Sequence, residues 1–238
     1  MKNENSTLIL SFCNFDYVKV ALNWVEYLKK LNINNYLIVA LDSETEIFLK
    51  DHNVNTKLIK GEIPKRSGKG WRWRFQQTYE FVKSGYNVIH SDLDAVWLKN
   101  PLDIIDNKYD IIASTDTGGF PPETYEKWNF TMCMGWMYYA STNATLNLFE
   151  SILKNKKNFD DQCEFNNYIS DKVDIRNIYI TMGGNKKFQI DGAKLCVLNE
   201  NIVKRSDYDE NAYVCHPLMK KQADCETQLK RRKLWVIK

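Results

Sequence analysis

Along the first part of the chain, short continuous apolar runs alternate with stretches of helical spacing, and this alternation limits the fold more than any other feature of the sequence. Thr7–Phe12 is an apolar run of the kind that forms a strand buried on both faces. In Val18–Leu31 the positions Val18, Ala21, Leu22, Val25, Leu28 and Leu31 share one helical face. Tyr36–Leu41 is a second buried strand. Ser43 with Glu46 fits a capping box that opens a helix to about Asp51, and Lys57–Ile59 is a short third strand. Strand, helix, strand, helix, strand is the rhythm of βαβ units around a parallel sheet.

The pattern continues less regularly. Ile63–Gly70, with Pro64, Gly68 and Gly70, reads as a loop. Trp71–Lys83 carries a helical stripe through Trp71, Phe75, Thr78, Tyr79 and Val82, closed by Gly85. Asn87–Ser91 and Tyr109–Ser114 read as strands, and Gly118–Lys127, with Pro121 and Pro122, as a loop. Met134–Ala140 is a further strand. Thr142 or Asn143 caps a helix reaching about Lys154, and Asp161–Ile169 is a short helix. Strands near Val173–Ile180, Leu195–Leu198 and Ala212–His216 complete the reading. The 238 residues suffice for one large α/β domain with a substantial core.

The strand Asn87–Ser91 runs directly into Asp92-Leu93-Asp94, and Ala95-Val96-Trp97-Leu98 resumes the apolar run. Ligands of open parallel sheets gather beyond the C-terminal ends of strands. Two carboxylates in a largely buried stretch repel each other and lose hydration unless something pairs with them. A hard divalent cation, Mn²⁺ or Mg²⁺, resolves both problems and shares its shell readily with phosphate oxygens. The same D-x-D spacing also occurs by chance on exposed loops, so its place after a buried strand carries the argument.

Composition excludes several classes. With 44% hydrophobic and 26% charged residues the chain is not intrinsically disordered. A net charge of +3 suits a phosphate-bearing ligand but is too small for a nucleic-acid partner. The run Lys230-Arg231-Arg232-Lys233 reads as a solvated helix end, the alternative being contact with anionic lipid or phosphate. None of the six cysteines has C-x-x-C spacing, which argues against zinc and for reduced, mostly buried thiols in a cytoplasmic protein. Met1-Lys2-Asn3-Glu4-Asn5 leads straight into the first strand, without a signal-peptide core or an apolar run long enough for a bilayer span. The expectation is therefore a soluble or peripherally attached protein with no transmembrane segment.

The segment Gly85–Pro101, reading GYNVIHSDLDAVWLKNP, resembles the signature of nucleotide-diphospho-sugar transferases of the GT-A fold, in particular the group containing plant cell-wall xylosyl- and arabinosyltransferases. Other segments follow the same order. Asn14-Phe15-Asp16-Tyr17 with Asn23-Trp24 resembles the nucleotide-binding start, and Cys133–Tyr139 the glycine-containing strand after the metal site. Asp161-Gln162 with Asn166 resembles a D-Q-x-x-x-N element. His216, Lys220 or Lys221, and Leu234-Trp235 resemble the closing pattern. The stretch between His216 and Trp235 lacks the glycine usual there, and Gly118–Thr131 matches nothing in the group.

The resemblance implies a single GT-A domain over residues 1–238, with a Rossmann-like mixed, mainly parallel central sheet flanked by helices. Residues 7–100 would form a nucleotide-binding half and 101–238 a sugar and acceptor half. It implies a metal-dependent glycosyltransferase that moves a sugar from a nucleotide-sugar donor, with UDP as nucleotide and retention at the anomeric carbon. The acceptor would be a glycan, a protein or a small hydroxyl compound. Asp94, Asp92 and His216 become metal ligands, Asp92 also reaching the nucleotide. Asp161 and Gln162 meet the donor sugar, Asp161 near the reacting carbon. Ser11, Phe12 and Asn14 would lie at base and ribose, and Lys69, Arg72, Arg74, Lys220 and Lys221 are candidates for the diphosphate. Two rivals are weighed beside this. A sugar-nucleotide-forming nucleotidyltransferase needs a Gly-rich phosphate loop after the first strand, where this chain has Ser11-Phe12-Cys13-Asn14. A catalytically degenerate carbohydrate-binding protein would not need intact Asp92, Asp94 and His216. A metal nuclease, a weaker third, would need a more basic surface.

Overall fold

Each of the first two helices ends on an asparagine in the left-handed backbone region, Asn32 at φ 55° and Asn53 at φ 55°. In the computed structural model, which describes residues 7–59, 68–154, 160–205, 208–218 and 225–237, the chain opens with β1 (Thr7–Cys13), α1 (Val18–Lys30), β2 (Tyr36–Ala40), α2 (Ser43–Asp51) and β3 (Thr56–Leu58). The two αβ connections use one device. Asn32 N donates to Lys29 O and Ile33 N to Leu28 O; Asn53 N donates to Lys50 O and Val54 N to Leu49 O. This is the paired closure of a Schellman motif, with buried Ile33 and Val54 supplying its hydrophobic contact.

The chain continues with α3 (Gly68–Lys83), β4 (Asn87–Ser91), β5 (Val96–Trp97), β6 (Ile111–Asp116), α4 (Pro122–Trp128), β7 (Thr131–Tyr139), α5 (Asn143–Leu153) and α6 (Asp161–Ser170). It ends with β8 (Tyr179–Ile180), β9 (Lys186–Ile190), β10 (Ala193–Val197), β11 (Val203–Lys204), β12 (Val214–Cys215) and α7 (Cys225–Arg231). Two compact units divide these elements. Of the described residues, one comprises those within 8–62, 91–104 and 201–238; the other comprises Thr7 and those within 63–90 and 105–200.

In the first unit β1, β2 and β3 are parallel neighbours, Ser11 lying opposite Ile38 and Ile38 opposite Thr56. Of the helical stripe expected from sequence α1 buries Val18, Ala21, Val25 and Leu28, while Leu22 and Leu31 are half-buried; it also buries Trp24, outside that stripe, which meets Tyr36 and Trp97 edge-on. Burying these side chains at about 25 cal/mol per Å² is the main force holding helix to strands. Asn23, fully buried, donates to Leu234 O at 2.9 Å and accepts from Val236 N at 2.7 Å, which ties the last residues of the chain to α1. A small second sheet has the order β11-β12-β5, β12 antiparallel to β5.

In the other unit the strand order is β4-β7-β6-β10-β9-β8. β6 and β10 are parallel, while β6–β7, β9–β10 and β8–β9 are antiparallel. The class is the α/β class expected, with mixed strands and flanking helices. β7 carries an irregularity: Ala113 pairs with Met137, but the next pair is Ser114 with Cys133. Ser114 Oγ donates to the Cys133 and Trp136 carbonyls across the gap. A bulge of this kind re-aims the strand and frees backbone groups for other partners.

Several local expectations are corrected. The cap of α2 is Asp42, whose Oδ1 accepts from Thr45 N at 2.7 Å; Glu46 instead accepts from Leu58 N at 3.1 Å. Gly68 to Gly70 belong to α3, not to a loop. The stretch expected as the loop Gly118–Lys127 contains α4, with Pro122 at its first position, where the missing N–H does no harm. The strand expected over Val173–Ile180 is instead a 3-10 turn at Ile175–Asn177, held by Asp174 accepting from Arg176 N, followed by the two residues of β8. β5, β9 and β11 were not anticipated. Among the described residues no helix is long and apolar enough to cross a membrane.

Candidate functional site

Ala95 N donates to Asp92 O at 3.1 Å, closing a turn that brings the Asp92 and Asp94 side chains to one side of the chain immediately before β5. β5 pairs with β12 so that Val96 lies opposite Cys215. His216 follows β12 directly, and the antiparallel register therefore carries it past Ala95 toward the two aspartates. His216 N donates to Lys204 O at 2.7 Å, which fixes the backbone at this point. The result is a cluster in which ligand atoms of Asp92, Asp94 and His216 lie within 4.8 Å of one another. His216 Nε2 is 3.3 Å from Asp94 Oδ1 and 3.8 Å from Asp92 Oδ2. The histidine is buried and the two carboxylates are half-buried.

Two carboxylate oxygens and one imidazole nitrogen at this spacing form a donor set suited to Mn²⁺ or Mg²⁺, with the nitrogen favouring manganese. The surroundings were not foreseen from sequence. Arg205 contacts His216 Nδ1 at 2.5 Å. A guanidinium only donates, so Nδ1 accepts, and a neutral ring then carries its proton on Nε2, facing the aspartates. The Cys225 thiol at the start of α7 is pushed up to about 12, first by burial and then by the negative charge of Asp94 and Asp92.

Near the C-terminal end of β1, Ser11 is fully buried, while Phe12 and Asn14 are half-buried. Asn14 Nδ2 donates to Asp16 Oδ2 at 3.3 Å, and its carbonyl accepts from Tyr17 N. Phe15 N donates to Asp42 Oδ2 at 3.2 Å, so the α2 cap also shapes this turn. Lys220, Lys221 and the side chain of Lys69 lie outside the described residues.

The other unit carries a second polar cluster. Asp160, not Asp161, caps α6, its side chain accepting from Cys163 N at 3.0 Å. Asp161 is thus released from capping and is buried, paired with Arg74. Burial pushes the Asp161 pKa up and the Arg74 charge pulls it down, with burial the larger effect. The Arg74 guanidinium lies 4.4 Å from the centre of the Trp71 ring. Arg72 points elsewhere and donates to Leu153 O at the end of α5. Gln162 Nε2 donates to Asp116 Oδ2 at 3.1 Å and to Phe120 O at 2.8 Å; its Oε1 accepts from Met134 N, in the β7 irregularity, at 3.2 Å. Asn166 accepts from Met132 N and donates to Met132 O, so the last residue of the D-Q-x-x-x-N element is bonded to β7 backbone. Sequence reasoning does not single out Asp116, although it ends a buried strand just as Asp92 follows one. Arg205 was missed because nothing in its neighbourhood has periodicity.

The arrangement has the fold of the GT-A class of glycosyltransferases. The structure of a galactosyltransferase, LgtC, in complex with donor and acceptor sugar analogs aligns over 98% of this chain and 97% of that one, with a TM-score of 0.55 at 10% identity. The chain belongs to the nucleotide-diphospho-sugar transferase family, whose profile matches residues 31–234. It is 26% identical over 122 residues to the beta-arabinofuranosyltransferase RAY1 of Arabidopsis thaliana, covering 43% of this chain and 21% of that protein. It is 29% identical over 150 residues to the arabinosyltransferase RRA2 of the same plant, covering 58% and 34%. The chain therefore spans about a third or less of the length of these relatives.

Proposed function

We propose that this chain is a metal-dependent glycosyltransferase that moves a sugar from a nucleoside-diphosphate sugar, with UDP as nucleotide, to a hydroxyl of a glycan, protein or small molecule. The observation that carries the reading is the convergence of Asp92, Asp94 and His216 in a chain of this family. A bound Mn²⁺ or Mg²⁺ would supply a Lewis acid for the charge that builds on the diphosphate as the sugar departs. Asp94 and His216 would hold the ion, and Asp92 would hold the ion and the ribose. Phe12 and Asn14 are assigned the base and ribose, with Ser11 behind them in β1; Lys220, Lys221 and Lys69 remain candidates for the diphosphate.

Asp161 and Gln162 are assigned to the donor sugar. The support is chemical: each is held in place by several hydrogen bonds, so each can present a remaining oxygen lone pair without reorganising. Arg74 and Arg72, candidates for phosphate from their guanidinium chemistry on the helix before the metal strand, are here given positioning roles instead, Arg74 for Asp161 and Arg72 for the end of α5. Retention is part of the proposal. So is a cytoplasmic location, which the six free cysteines, five of them buried, support. Residues 1–238 are taken as one functional domain.

Calorimetry with UDP and GDP, each with and without Mn²⁺, tests the proposal, followed by a hydrolysis screen of sugar nucleotides and NMR assignment of the released anomer. Metal-enhanced nucleotide binding that Asp94→Ala abolishes is the expected result. Absence of any metal-enhanced binding of a nucleoside diphosphate by the intact chain would sink the reading.

A further inference from the structure

The hairpin β8–β9 presents its apolar residues outward. Tyr179 is 67% exposed, Ile180 59% and Met182, in the connecting turn, fully exposed. β8 is an outer strand with only β9 as neighbour. Successive strand residues point to opposite faces, so Tyr179 and Ile180 expose apolar surface on both faces of this edge. The turn is built to hold that shape. Thr181 N donates to Asn185 O, Gly184 N to Thr181 O, and Asn185 N to Thr181 Oγ1. Gly184 sits at φ +78°, where a Cβ would come 2.2 Å from Asn199 Nδ2, and Asn199 N donates to Asn185 Oδ1 at 2.7 Å. Met182 is thus projected by a tight, hydrogen-bonded turn.

Cations stand directly across the hairpin from the exposed pair. The register sets Ile180 opposite Lys186 and Tyr179 opposite Lys187. Lys187 and Lys194 line a cleft of about 540 Å³ with Lys108 and Tyr109. Asp106 pairs with Lys108, whereas Lys187 and Lys194 form no ion pair among the described residues. The Lys187 pKa is raised, chiefly by its hydrogen bond to the Tyr109 hydroxyl, so its charge is secure.

We infer that the β8–β9 hairpin is a membrane-docking tip, which inserts Met182, Ile180 and Tyr179 into the interface of an anionic bilayer while Lys187 and Lys194 meet lipid phosphates. Apolar side chains stand on both faces of the strand, and Met182 projects from the turn beyond it. A protein docked on one face would cover one residue of the pair, whereas a bilayer surrounds the tip and covers all three. Tyrosine suits the boundary between headgroups and chains, and Lys187, directly opposite it, reaches back to the phosphates along its apolar stem, with Lys194 farther from the tip. Each such lysine adds attraction to an anionic surface.

Flotation with vesicles of phosphatidylcholine, with and without phosphatidylglycerol, reads this out. The chain is expected to float with the phosphatidylglycerol vesicles and to release as salt is raised. Met182→Asp is expected to weaken binding by roughly tenfold or more, with an unchanged thermal midpoint and unchanged sugar-nucleotide hydrolysis. Lys187→Glu with Lys194→Glu is expected to remove the preference for anionic lipid. No flotation with either vesicle, or equal flotation of Met182→Asp, overturns the inference. So does a lipid-free dimer that Met182→Asp dissociates, since the tip would then belong to a second copy of the chain.

Discussion

Arg74 on α3 donates from Nε to Asp161 Oδ2 at 2.9 Å, and its Nη2 reaches the same oxygen, so a single carboxylate oxygen at the first turn of α6 takes both bonds. The side chains are 13% and 5% exposed. This pair separates the two arginines that the sequence places two residues apart, since Arg72 is turned toward the end of α5. It also makes Asp161 depend on α3 for its charge.

Removing one partner of a buried ion pair leaves the other charge without compensation. Arg74→Met is expected to destabilise the chain by about 3–5 kcal/mol, measured by urea unfolding. Arg74→Met combined with Asp161→Asn should recover a large part of that loss. A loss of under about 1 kcal/mol for Arg74→Met, the range of exposed pairs, would show the pair to be structurally idle.

The same carboxylate has a signature in pH. Its folded pKa is raised above the ordinary value of 3.8, so the folded state binds the proton more tightly than the unfolded state. The stabilisation from this protonation is complete below the unfolded value and is lost as pH rises through the folded value. Asp161→Asn removes this dependence. The difference in thermal midpoint between Asp161→Asn and the parent chain should therefore move in favour of the variant as pH rises from acid toward neutral. A difference that stays flat over that interval counts against the assignment.

Arg205 should oppose metal binding at the Asp92–Asp94–His216 cluster. Its bond to Nδ1 leaves the ring proton on Nε2, whereas ligation through Nε2 requires the lone pair there and a proton on Nδ1. Its positive charge acts in the same direction. Arg205→Met is expected to tighten Mn²⁺ binding by roughly tenfold, the scale of one hydrogen bond to a charged group, in a titration with the metal alone. Weaker binding in Arg205→Met would show that Arg205 supports the ion.

Ser91 has a structural task next to the metal cluster. Its Oγ accepts from Trp97 Nε1 at 3.1 Å, and both residues are fully buried. Ser91→Ala leaves the indole N–H without its acceptor, at a cost of about 1–3 kcal/mol. That corresponds to a fall in thermal midpoint of roughly 2–4 °C per kcal/mol for a chain of this size. Differential scanning calorimetry measures it, and an unchanged midpoint would mean that the indole finds another acceptor.

The parts legible in the sequence are those where one physical effect dominates. β1, β2, α1 and α2 emerge within a residue or two because continuous apolar runs and helical stripes belong to strands and helices that bury a whole face. α4 was hidden because Pro121 and Pro122 signal a loop, yet proline is welcome at a helix start, and Asn129 at φ 57° closes the helix after two turns. β9 was hidden because Lys186 and Lys187 lack the apolar signal of a strand, and the turn at Asp191-Gly192, both with positive φ, joins it to β10. At the D-Q-x-x-x-N element the residue types were plain, but the division of labour was not. Asp160 caps, Asp161 pairs with Arg74, Gln162 bridges Asp116 and Phe120, and Asn166 bonds to β7.

The sequence by itself determined that the chain is α/β, that a buried strand delivers Asp92 and Asp94 together, and which family the pattern resembles, since these depend on residue types at short spacing. Only the tertiary structure decided which atoms meet. His216 is placed beside Asp94 by the pairing of β12 with β5, two residues each, too short to leave any periodicity in the sequence. Their hydrogen-bond register is set by packing around Val96, Trp97, Val214 and Cys215, all fully buried. Arg205 reaches His216, and Arg74 reaches Asp161, for the same reason: side-chain partners distant in sequence are selected by backbone register and burial, which exist only once the chain has folded.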